Sequence, residues 1–163
     1  MKLTKELKES SVLLNIPKGE RVRAHGVGPK GYEPRDVIAT DRAIYFATDA
    51  GPQRIPWQEI AKATWEQPWL TIITVQGEQT KIHLDPFGEM PPMVRDRVTA
   101  SVVIRERVPL DIGGSVVCIG RREPLGDAIS WVLEFDSEES AKDPEVRESA
   151  DRALVELRST LGI

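Results

Sequence analysis

At 163 residues the chain has the length of one domain or of two small ones, and its 40 % hydrophobic and 29 % charged residues exclude collagen-like, coiled-coil and wholly disordered chains. A net charge of −4, from 22 Lys and Arg against 26 Asp and Glu, argues against a dedicated nucleic-acid protein, whose affinity rests on cations neutralising phosphates. The single cysteine, Cys118, cannot close an intramolecular disulfide, and no apolar run reaches the roughly eighteen residues that cross a bilayer, so a cytoplasmic protein without integral membrane association is expected.

Lys2, Lys5 and Lys8 precede Val12, Leu13 and Leu14, but Asn15 and Pro17 stop this apolar run too early for a signal peptide. From residue 20 to 84, seven short β-prone runs follow one another, at 20–27, 36–40, 43–48, 52–56, 60–66, 69–75 and 78–84. Thr40-Asp41-Arg42, Asp49-Ala50-Gly51 and Gln76-Gly77 supply the small polar residues and glycines that reverse a chain, which predicts an antiparallel meander.

After Pro91-Pro92 the apolar spacing lengthens to about four, with Val94, Val98 and Val102 on one face and Arg95, Asp96 and Arg97 off it, which predicts a short amphipathic helix. Strands return at 102–110, 115–123 and 128–136, the last alternating Ile129, Trp131, Leu133 and Phe135 with more polar residues. An acidic loop, 137–142, leads to Asp143 as helix cap and Pro144 as first helical residue, and the stripe Val146, Ala150, Leu154, Leu157 and Leu161 runs to Gly162.

The segment VIATDRAIYFATDAGPQRIPWQEIAKATWE resembles bacterial PH-like (GRAM-type, pleckstrin-homology-like) domains, in which a Thr-Asp-Arg turn precedes an apolar strand and an Ile-Pro-Trp strand follows. The resemblance covers roughly residues 18–101, and the later portion is similar to tails of actinobacterial proteins of this type. It implies a seven-stranded antiparallel barrel with a capping helix over 1–101. A βββα extension over 102–163 would pack on it, since no linker of useful length separates the two.

Neither catalysis nor a metal centre is legible. Gly26, Gly28 and Gly31 spell G-x-G-x-x-G, but Pro29 and Pro34 leave no helix to present amides to a pyrophosphate, so a hairpin loop is the better reading. His25, His83 and Cys118 are too few and too scattered for a closed zinc site and are read as structural; Ser115 lacks a nucleophile elbow. No cofactor is implied, and no enzyme activity. The four tryptophans are read mainly as core, with Trp65 and Trp69, which bracket the turn at 66–68, available to a partner.

Lys18, Arg21 and Arg23 carry the letters of a phosphoinositide-binding pattern but precede or sit within the first strand. The loops expected at the open end hold Lys30 and Arg35 against Glu33, Asp49 and Glu78. The second half offers another partner. If Leu110 opposes Ser115, then Arg105, Arg107, Cys118 and Arg122 share a face, with Val102, Ile104, Val108, Val117 and Ile119 on the other, and helix-βββ-helix is the element order of double-stranded-RNA-binding domains. Against this, the last helix starts with Asp143, Glu145 and Glu148, which would repel RNA. The expectation is an α+β, non-enzymatic protein- or peptide-binding or scaffolding module, with Lys30, Arg35, Trp65, Trp69, Arg105, Arg107 and Arg122 as candidate partner-binding residues. Double-stranded RNA binding through the 102–123 hairpin is the alternative, and the oligomeric state is left open.

Overall fold

A computed structural model describes residues 4–163, so Lys2 of the basic N-terminal run lies outside the described residues. Among those residues the chain is α+β, with ten strands in three antiparallel sheets and four α-helices. It divides into two compact units, Met1–Ser101 with Arg122–Ala128, and Val102–Arg121 with Ile129–Ile163.

The first unit opens with α1 (Lys5–Leu13), where the sequence reading placed no helix. Thr4 caps it by accepting the Leu7 amide at 3.2 Å, and Leu7, Ser10 and Leu14, at helical spacing, turn inward. Leu7 and Leu14 pack with Ile38, Ala43 and Tyr45. The seven strands of the meander follow. β1 (Val22–Val27), β2 (Asp36–Thr40), β3 (Ala43–Thr48) and β4 (Gly51–Pro56) form one sheet in chain order; β5 (Ile60–Glu66), β6 (Trp69–Thr74) and β7 (Gln79–His83) form another. Then comes α2 (Met90–Ser101).

The expected closed barrel is not found: no ladder joins the two sheets among the described residues. Pro56 ends β4 with no amide to donate, and Trp57–Glu59 makes a 3-10 turn that leads the chain away before β5 begins. Trp57 is fully buried and donates its indole N–H to the Thr40 carbonyl at 3.1 Å. Around it Ile44, Ile60, Leu70, Ile72, Ile82, Leu84, Met90 and Val94 form the core shared by both sheets and α2.

Of the G-x-G-x-x-G letters, Gly26 and Gly28 serve packing and Gly31 a turn, at a φ of 89°. A Cβ on Gly26 would stand 2.8 Å from a Leu84 methyl, and one on Gly28 would stand 2.9 Å from the His83 carbonyl oxygen.

In the second unit β8 (Val102–Pro109), β9 (Ser115–Arg122) and β10 (Ile129–Glu134) pair in the order β10-β9-β8. α4 (Pro144–Leu161) lays Ala150 and Ala153 against Leu110, Val116 and Cys118, with Trp131, Leu133, Phe135, Leu154 and Leu157 half-buried around them. Asp143 caps α4 by accepting the Glu145 and Val146 amides, and Gly162 ends it at a φ of 74°. The acidic segment expected as a loop instead holds α3 (Glu138–Lys142), one turn capped by Ser137.

The hairpin register differs by one residue from that expected. Pro109 opposes Ser115, so Leu110 lies in the turn, and Arg107 pairs with Val117 and Arg105 with Ile119. A one-residue slip reverses the faces of one strand against the other. Cys118 therefore lies with Val108 and Val116 under α4, and the third arginine beside Arg105 and Arg107 is Arg121, not Arg122.

Candidate functional site

A groove of about 870 Å³ runs between β5 and α2. Its floor is apolar, with Trp65, Leu70 and Val94, and its α2 wall presents Pro91, Pro92, Arg95, Asp96, Thr99 and Ala100. The helix supplies these residues because 91, 92, 95, 96, 99 and 100 fall on one stripe at a period of 3.6. From β5 come Ala63, Thr64 and Trp65, three consecutive residues. Successive strand side chains point to opposite faces, so a cavity touching all three lies along the edge of the strand. Among the described residues that edge carries no further strand: β5 pairs in its sheet with β6 alone.

Trp65 is half-buried against the core and meets Phe87 at 5.2 Å between ring centroids, and Phe87 is exposed. Arg95 and Asp96 are both exposed, and no ion pair or hydrogen bond holds either side chain among the described residues. The groove thus combines apolar contact area, strand-edge backbone and one charge of each sign.

The other expected partner-binding residues lie elsewhere. Trp69 pairs with Glu66 and His83, on the opposite sheet face from Trp65. There it meets His83 edge-on at 4.8 Å, and Tyr32 stacks on His83 at 4.5 Å. Among the described residues His83 Nδ1 is buried without a hydrogen-bond partner, and its ring is packed between Tyr32 and Trp69. Arg35 lines a separate cleft of about 490 Å³ with Glu6, Glu9 and Asp36, while Lys30 is exposed and lines neither cavity. In that cleft Asp36 Oδ1 accepts from Ser10 at 2.8 Å and stands 3.2 Å from His25 Nε2, which ties α1 to β1 and β2.

On the second unit's sheet, Arg105 donates to Glu134 at 2.9 Å, and Arg107 donates to Ser115 at 2.8 Å and to Asp136 at 3.2 Å. Arg121 is buried beside them; burial first, then the like charge of Arg105, lowers its pKa from the usual guanidinium value. Arg122 is exposed and lies beyond the ladder, which ends at Arg121. Cys118 is buried, and burial raises the pKa of its thiol. Among the described residues no group of three or more His, Cys, Asp or Glu is placed to hold a metal ion, and no helix is long and apolar enough to cross a membrane.

Of the seven candidates, the groove therefore contains Trp65 alone. Sequence reasoning missed its partners Arg95, Asp96 and Thr99, although the helical period already placed Arg95 and Asp96 off the apolar face. What it lacked was the approach of that flank to a strand edge. Comparisons with protein-family models, with curated proteins and with solved structures found no match to this chain.

Proposed function

We propose that the chain is a non-enzymatic protein- or peptide-binding module of PH-like type, and that its site is the groove between β5 and α2. The observation that carries the reading is the coincidence of an apolar groove with the open edge of β5, since an extended segment laid there gains backbone hydrogen bonds and side-chain burial together. Seven antiparallel strands followed by a helix are the part of the PH-like expectation that supports this reading, while the closed barrel that the resemblance implies is not found. The pairing of Arg105 and Arg107 with Glu134 and Asp136 counts against the double-stranded-RNA alternative, because cations already neutralised release fewer counterions from phosphate.

Selection of a random displayed peptide library on the full chain tests this, with the selected peptides mapped by amide chemical shifts. The expected result is perturbation centred on Ala63, Thr64 and Trp65 that Trp65→Ala abolishes. Peptides that bind with the β5 and α2 amides unmoved, or a selection that enriches nothing, would overturn it.

A further inference from the structure

From the same groove, and resting on the reading just given, we infer that the occupant is an electrically neutral extended segment of about four residues that adds to β5 as a new strand. Length comes from the helix wall. Pro91 to Ala100 is nine steps of about 1.5 Å, or about 13 Å, which four residues at about 3.3 Å each would span. On the strand side, Lys62 to Glu66 pair regularly with β6 beyond the irregularity at Ile60/Lys62, so a straight edge of matching length is presented.

Backbone form comes from the position of the cavity. It runs along the strand edge, where donors and acceptors face outward every second residue. A helix has its amides and carbonyls already paired internally. A polyproline segment has few amides to give and cannot repeat a ladder. Only an extended chain answers an edge of this kind, and its side chains then alternate between the Trp65, Leu70 and Val94 floor and solvent.

Neutrality comes from the lining charges. Arg95 and Asp96 are adjacent on the wall, neither with a partner among the described residues, so a net charge of either sign on the occupant gains from one and loses to the other. The partner chemistry is therefore a flexible loop or terminus with apolar residues at alternate positions and Ser, Thr or Gln between them.

The probe is a synthetic library of end-capped peptides alternating Val, Ile, Leu or Phe with Ser, Thr or Gln, titrated onto the full chain. Control sets carry proline at alternate positions, or Glu or Lys at the polar positions. The alternating set is expected to bind, and N-methylation of its tightest member should cost about tenfold at every second amide and little at those between, the loss expected for a removed hydrogen bond. Affinity should change less than about twofold between roughly 50 and 300 mM salt, where exposed charges are progressively screened. Even tolerance of N-methylation, preference for the proline set, or a steep salt dependence would overturn the inference. If Trp65-dependent binding is found only with peptides of those other kinds, the binding-module reading stands and strand addition falls; if displayed and synthetic peptides all fail, both fall.

Discussion

The two units differ in how deeply they bury their tryptophans and in whether the charges beside their exposed surfaces are paired. The first buries large side chains completely, Trp57, Ile44, Ile60, Leu70, Ile72, Ile82, Leu84 and Met90, yet among the described residues leaves Arg95 and Asp96 without partners on a groove wall. The second packs Leu110, Val116, Cys118, Ala150 and Ala153 under its helix and leaves its aromatics Trp131 and Phe135 half-covered, while Arg105, Arg107 and Arg152 are all engaged with carboxylates. A two-sheet core can support an open edge, because its stability does not depend on covering it. A single helix on three strands has less apolar area to draw on.

The strongest way to break this contrast is to truncate one tryptophan in each unit. Trp57→Ala removes a fully buried ring and its hydrogen bond to Thr40 and should cost about 3–5 kcal/mol, enough to unfold a marginal domain. Trp131→Ala removes a half-buried ring and should cost about 1–2 kcal/mol. Urea unfolding of the full-length variants measures both. Equal losses would show that the second unit's core is as deep as the first's.

That asymmetry was partly legible in the sequence. All seven strands of the meander, α2 and α4 follow from period and punctuation, because apolar alternation, Gly-bearing turns and the Asp143-Pro144 start are local signals. Three things were not local. Helix α1 is carried inward only by Leu7, Ser10 and Leu14, a stripe too short and too polar for apolar period to mark it. Register in the 102–122 hairpin turned on whether Leu110 ended a strand or began a turn, and one residue there moved Cys118 from the arginine face to the core. The groove exists only because α2 returns alongside an edge strand some thirty residues earlier in the chain, which no spacing rule reports.

A smaller effect sharpens the charge half of the comparison. Arg105→Ala and Arg107→Ala each break an ion pair whose partners are more than half exposed, so each should cost no more than about 1 kcal/mol after screening, and less at high salt. A variant carrying both substitutions, titrated with duplex RNA in a filter-binding assay, should match the parent in showing no saturable low-micromolar binding. Strong binding by the parent that the double variant loses would mean that these pairs open to phosphate and do not count against RNA.

The smallest effect is a dependence on pH. Asp111 lies in the β8–β9 turn and accepts from Ser149 and from Arg152, the latter at 2.8 Å, fastening that turn to α4. The Ser149 hydrogen bond first, then Arg152, lowers its carboxyl pKa below the usual aspartate value. A carboxyl depressed in the folded state contributes stability above its unfolded pKa of about 4 and loses that contribution as pH falls through the folded value. Asp111→Asn keeps the shape and removes the titration. Thermal melts of parent and variant should therefore differ most near about pH 6 and converge toward about pH 3, with the parent the more stable at the upper end. Because Asp111 is on the surface, the gap should also narrow with added salt. A constant gap across the range would show that the Ser149 and Arg152 contacts do not distinguish the charged carboxylate from its neutral isostere, and that the fastening of this turn rests on packing instead.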